Sequence, residues 1–170
     1  MIKLTPIAVF IDGSPWHYDE WNENNKADRR IESAHQQEAY LWAAYHFPEL
    51  MIFHPVNEGA IPVQYRDKLL KSGLVPGVSD LVVLKVSGVH PFACFELKRA
   101  TKTLASPVSA EQKEWLKRCR ADGGYSAVCY GAKAFKQALC HYLGFTICHD
   151  GHNILEHQQQ KEYRNDRTKI

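Results

Sequence analysis

Residues 80–98 hold two apolar runs, DLVVLKV and FACFELK, joined by the short link SGVHP. Two β-rich segments so closely joined form an antiparallel hairpin. The second run is apolar enough for a buried strand until Glu96 and Lys98 interrupt it. Side chains of a strand alternate between faces, so Cys94, Glu96 and Lys98 share one face while Phe95 and Leu97 take the other. A hairpin centred near Val89 sets Asp80 opposite Lys98 and diagonal to Glu96. Two carboxylates and an ammonium then converge at one end of the hairpin, where burial penalises each charge unless it is paired or bound to a cation.

That arrangement has two readings on these three residues. One is a structural ion pair of Lys98 with Asp80 or Glu96. The other is a divalent-metal site in which Asp80 and Glu96 supply the hard oxygen ligands that Mg²⁺ or Mn²⁺ prefers. In the second reading the metal polarises a phosphoryl oxygen and lowers the pKa of a bound water, and Lys98 holds the attacking water or the phosphate charge. The chemistry is hydrolysis of a phosphodiester. A glutamate from a helix would complete the carboxylate set, and the first helical segment contains Glu32 and Glu38.

Around the hairpin the pattern alternates between helix and strand. Ile31, Ala34, Leu41, Trp42 and Tyr45 recur at helical spacing and Pro48 closes the run, which predicts an amphipathic helix over 31–47. LMIFH (50–54) reads as a short strand, and Pro62 and Gly73 bracket a second helix through Tyr65, Leu69 and Leu70. Ser109-x-x-Gln112 opens a third helix that ends near Gly123 and Gly124; YSAVCYG is a strand, AKAFKQALCHYLG a last helix, and FTICH a possible edge strand. The order implies an α/β fold with a mixed β-sheet flanked by helices. A chain of 170 residues that is 45% hydrophobic can bury one sizeable core, so we expect one domain with decorated ends: an arm over 1–30, a core over 31–143 and an extension over 144–170.

The remaining composition narrows the class. Five scattered cysteines, never spaced C-x-x-C, argue against a disulfide framework and for a reduced intracellular protein. No signal peptide or membrane-length apolar run is present in the sequence, so a soluble, cytoplasmic protein is expected. A formal charge of +2 neither demands nor excludes a polyanionic partner.

The motifs GLVPGVSDLVVL, then FELK, then SAEQKEWLKRCRADGGYSAVCYG resemble those of the virus-type replication-repair nuclease domain, VRR-NUC, a branch of the PD-(D/E)xK nuclease superfamily with a restriction-endonuclease-like core. The resemblance runs from about Ile31 to Leu143. E-x-K alone is a weak signal, but G-x-x-P-G-x-x-D before a strand, E-L-K ending the next and S-x-x-Q opening a helix form a specific combination. It implies that Asp80 is the metal-binding aspartate, Glu96 the second carboxylate, Lys98 the active-site lysine and Gln112 the glutamine after the hairpin. Glu32, Gln36 and Trp42 match the family's spacing in the first helix, which favours Glu32 over Glu38. The implied metal set is Asp80, Glu96, Leu97 and Glu32, binding Mg²⁺ or Mn²⁺. Toward DNA the resemblance adds Gln36, Asn57 and Ser109.

Two departures stand out. Ser79 occupies the place of the family's usual proline before the aspartate, which loosens the approach to the ligand without removing a metal-binding atom. Val56-Asn57-Glu58-Gly59 replaces a common Asn-Gly-Gly and adds a charge near the expected DNA face. The resemblance implies metal-dependent cleavage of DNA with preference for branched structures such as four-way junctions or flaps. Relatives that are little more than this domain look like homodimers, and cutting both strands across a two-fold junction needs two symmetric sites.

Other candidates carry bland readings beside the functional ones. S-x-x-Q is also a capping box. Lys102, Lys113 and Lys117, with Arg118 and Arg120, could track phosphates or form a solvated helix face. Cys148, His149, His152 and His157 raise a zinc site but fit no strong spacing. Trp16 and Trp21 are read as packing on the core or across a dimer. Two further functions compete: a duplex endonuclease of the same core that reads sequence, and a non-catalytic DNA-binding module on a nuclease scaffold.

Overall fold

The computed structural model describes residues 7–8, 18–23, 25–56 and 63–145. Its sheet has six strands, β1 (Ile7–Ala8), β2 (Asp19–Asn22), β3 (Ile52–Phe53), β4 (Leu81–Val83), β5 (Ala93–Lys98) and β6 (Tyr125–Tyr130), in the order β1-β2-β6-β5-β4-β3. Four helices flank it: α1 (Glu32–His46), α2 (Val63–Lys71), α3 (Ala110–Ala121) and α4 (Ala132–Tyr142). β5 runs antiparallel to β4 and parallel to β6, so the sheet is mixed, as the alternation of helix and strand implied.

Every residue of β5 is buried, and the period of two sorts them. Ala93, Phe95 and Leu97 join Ala39 and Ala43 of α1 and Phe135, Ala138 and Leu139 of α4 in the main core. Phe95 meets Phe135 edge-on at 5.1 Å, a favoured aromatic geometry. On the opposite face Cys94 packs with Val82 and Cys119, under α3. Glu96 and Lys98 belong to this second face and are buried with it.

The hairpin register differs from the expected one. Leu81 pairs with Phe95 and Val82 with Cys94, so the next position outward sets Asp80 opposite Glu96, not Lys98. The shift is two residues, and an even shift leaves each side chain on its expected face. The cause lies in the link: the turn closes on the Ser87–His90 bridge, and three residues, 84–86, then oppose two, 91–92, before Val83 meets Ala93.

Two further expectations change. Residues 19–22, read as part of an arm, form β2, inserted parallel to β6; Trp21 is buried and donates its indole N–H to the Tyr125 hydroxyl at 2.9 Å. A four-residue strand paired on both sides is held by its ladder and one anchor, and so displays no period of its own. The apolar stripe of α1 also faces away from its expected place. Ile31, Leu41 and Tyr45 are exposed, and the buried positions are His35, Ala39 and Ala43. Small residues let α1 approach the sheet and α4 closely, and size rather than hydropathy selects the inner face.

Trp16, the cluster Cys148, His149, His152 and His157, and the FTICH segment beyond Phe145 lie outside the described residues. Among the described residues no helix is long and apolar enough to cross a membrane.

Candidate active site

Four places deliver polar side chains to one end of the sheet: Asp80 before β4, Glu96 and Lys98 at the end of β5, Glu32 in the first turn of α1 and Gln112 in the first turn of α3. Asp80 accepts a hydrogen bond at Oδ2 from the Leu97 main-chain N–H, 2.6 Å away. The Lys98 ammonium donates to Glu96 Oε1 at 2.9 Å and lies 3.6 Å from Glu32 Oε1. Asp80, Glu96 and Lys98 are 5%, 1% and 2% exposed, whereas the Glu32 side chain is 31% exposed. Glu38, the other helical candidate, is held elsewhere by Arg30 and Lys136 at 2.5 and 2.6 Å.

Gln112 caps α3 and also reaches Glu96. Its Oε1 accepts the Ser109 N–H and its main-chain N–H donates to Ser109 Oγ, which closes a capping box on α3. The Nε2 end of the same side chain donates to Glu96 Oε1 at 2.5 Å. Cap and site are therefore successive uses of one amide.

The electrostatics follow from burial. Desolvation, reinforced by the nearby Asp80 carboxylate and opposed by the Lys98 ammonium, pushes the Glu96 carboxyl up to about 8. Burial by itself lowers the Lys98 pKa, but Glu96, Glu32 and Asp80 outweigh it and raise the value, so Lys98 is a cation at neutral pH. Glu96 Oε2 is buried with no hydrogen-bond partner. Three carboxylates thus face one ammonium, and one of their oxygens is orphaned in a desolvated place. In type, these oxygen donors are those a hard divalent cation takes. Asp80, Glu96 and Glu32 could hold it through carboxylates, and Leu97 could contribute its main-chain carbonyl.

The other expected residues are distributed as follows. Gln36 turns to His54 and not outward, with Nε2 2.8 Å from His54 Nδ1. Lys102 is engaged by the Glu20 carboxylate and lies over the Tyr130 ring at 4.5 Å. Lys113 and Lys117 are half-buried one turn apart on α3. Asn57 lies outside the described residues. Sequence reading missed His54, whose Nδ1 is also 2.7 Å from the Asp80 carbonyl oxygen; its position at the end of β3 was the available signal. Ser79, in place of the proline, is fully buried and its hydroxyl has no hydrogen-bond partner.

A second group, Glu23, Asp28 and His35, brings three candidate ligand atoms within 4.8 Å of one another. Each is already engaged. Glu23 accepts the Lys133 N–H at the start of α4, Arg30 chelates Asp28 and holds its carboxyl down to about 2, and buried His35 faces the N–H groups of Ala100 and Ala132. This knot braces the loop after β2 against α1 and α4.

A family model described as the VRR-NUC domain matches residues 22–133. A solved structure described as a VRR_NUC domain protein superposes with a TM-score of 0.56 at 19% sequence identity, covering 68% of this chain and 89% of that one. No curated protein matches the chain.

Proposed function

The chain belongs to the VRR-NUC domain family of PD-(D/E)xK-type nucleases, and from that premise we propose that it is a Mg²⁺- or Mn²⁺-dependent endonuclease that cuts branched DNA such as four-way junctions or flaps. The observation that carries the reading is the group of Asp80, Glu96 and Glu32 around Lys98, with Glu96 Oε2 buried and unpartnered. A structural ion pair needs one carboxylate for the lysine and has no use for an orphaned second oxygen.

The residues divide the work of phosphodiester hydrolysis among them. A divalent ion held here supplies Lewis-acid polarisation and an activated water. The Leu97 N–H fixes the Asp80 carboxylate, and Gln112 and Lys98 both donate to Glu96 Oε1 and so fix its rotamer. Lys98, kept cationic by its carboxylates, donates N–H bonds to the attacking water or to the non-bridging phosphoryl oxygens as negative charge builds on them. The water oxygen bonds to phosphorus and gives up a proton to solvent, the bond to the leaving sugar oxygen breaks, and that oxygen keeps the electron pair and takes a proton from solvent.

For DNA we propose contacts from Asn57, from Ser109 and Gln36 near the site, and from Lys113, Lys117 and Lys102, the last exchanging Glu20 for a phosphate. We further propose that two copies associate, because resolving a two-fold junction needs paired sites, and that the protein acts in the cytoplasm. The test is cleavage of a panel of four-way junction, flap, splayed and linear duplex DNAs of shared sequence with Mg²⁺ or Mn²⁺. Preferential junction or flap cutting that disappears in Asp80→Ala is expected. Equal cutting of linear duplex would favour a sequence reader, and full activity in Asp80→Ala would remove the site assignment.

A further inference from the structure

The backbone on the outer side of Asp80 has a gap that a side chain fills. β3 and β4 pair antiparallel, with Ile52 opposite Val83 and Phe53 opposite Val82. The Leu84 N–H donates to the Met51 carbonyl, which marks 51–84 as a hydrogen-bonded pair. Such pairs alternate along an antiparallel ladder, so 53–82 is the next and 55–80 the one after. Residue 55 is proline, which has no N–H to give the Asp80 carbonyl. The His54 ring supplies a donor in its place, with Nδ1 2.7 Å from the Asp80 oxygen.

The tautomer follows from the acceptor. A carbonyl oxygen only accepts, so Nδ1 carries the proton and donates it to Asp80. Gln36 meets the same N–H, and it does so with its amide oxygen, since a half-turn exchanges the two ends of an amide. Gln36 lies one turn after Glu32 on the same face of α1. The His54 bridge therefore links the main chain of the Asp80 ligand position to the helix that carries the third carboxylate.

We infer that His54 is a positioning residue of the active site: its Nδ1–H replaces the N–H that Pro55 lacks, anchors the main chain of Asp80, and holds α1 in register with it. Asp80 is then gripped at both ends, at its carbonyl by His54 and at its carboxylate by the Leu97 N–H. The inference rests on the nuclease reading of the site.

The experiment compares His54→Leu, which keeps volume without a donor, with His54→Asn, whose amide N–H reaches the place of Nδ1. Mn²⁺ affinity is measured by calorimetry, kcat and KM on a four-way junction, and thermal unfolding without metal. His54→Leu should weaken Mn²⁺ binding and lower kcat by about 10- to 100-fold, the usual effect of losing a residue that orients a ligand, with KM for DNA unchanged. His54→Asn should restore most of both. Wild-type Mn²⁺ affinity and kcat in His54→Leu overturn the inference, as does a loss of thermal stability alone. A raised KM with unchanged Mn²⁺ affinity assigns His54 to DNA binding and overturns it too. Wild-type protein that binds Mn²⁺ but cuts no branched DNA sinks the nuclease reading, while the Mn²⁺ comparison still decides the role of His54.

Discussion

Gln112 donates to Glu96 at 2.5 Å with the same side chain that caps α3, so the orientation of a buried carboxylate is tied to the integrity of a helix terminus. The dual use separates experimentally. Gln112→Ala should lose about 1 kcal/mol of stability from the broken cap and about 10- to 100-fold in Mn²⁺ affinity and kcat from the freed Glu96. Gln112→Glu keeps a competent capping box yet faces Glu96 with a second acceptor, so it should melt near wild type and still be impaired. Wild-type activity in Gln112→Glu would show that the amide's contact with Glu96 has no part in the reaction.

The Glu96 carboxyl, raised to about 8 by burial and by Asp80, holds a proton at pH 7 in the metal-free protein. A cation ligand must be deprotonated, so binding releases that proton. Mn²⁺ affinity should rise with pH up to about 8 and then level off. Calorimetry at pH 7 in buffers of different ionisation heat should detect the released proton; binding heats independent of the buffer would contradict it. The sign for stability is the reverse. The folded state binds the proton more tightly than the unfolded one, so the metal-free protein loses stability as pH rises from the ordinary carboxylate range through about 8.

Lys98 is enclosed with Glu96 and is the cation nearest to it. Lys98→Met removes the ammonium that the site's carboxylates face, which should cost about 3–5 kcal/mol above pH 8, where Glu96 too is ionised. Mn²⁺ should recover part of the melting temperature while cleavage stays lost. A variant as stable as wild type without metal would mean that the carboxylates are already neutral or solvated.

Ser79 buries a hydroxyl without a partner. Ser79→Ala removes the polar atom at little cost in volume, and stability should rise by about 1 kcal/mol. Activity should be unchanged, because the hydroxyl touches none of the site's polar atoms. A lower denaturation midpoint in Ser79→Ala would reveal a hydrogen bond that the hydroxyl makes.

Much of the site was legible because it depends on short-range rules. The alternation of β5 places Glu96 and Lys98 together whatever the strand pairs with, and Ser109 and Gln112 declare a helix start from their spacing alone. Glu32 and Glu38 illustrate the limit. The residues alone left both glutamates open and only the family spacing favoured Glu32; Arg30, just before α1, and Lys136 of α4 capture Glu38. The α1 stripe misled for a related reason: Leu41 and Tyr45 are the apolar bulk, but Ala39 and Ala43 make the contact, since close packing against a sheet selects small residues.

By itself the sequence determined which face each hairpin residue occupies, where α3 begins, and which residue types could serve hydrolysis, because period and capping are properties of a few neighbouring residues. The tertiary structure decided the partners. Asp80 stands opposite Glu96 because residues 84–86 oppose 91–92 in the link, and β2 enters the sheet because Trp21 finds Tyr125 far along the chain. His54 meets Asp80 because Pro55 leaves an acceptor unfilled in a ladder that exists only once β3 and β4 have paired. Register and long-range pairing depend on strands meeting in three dimensions, and a linear pattern of residues carries the faces but not the neighbours.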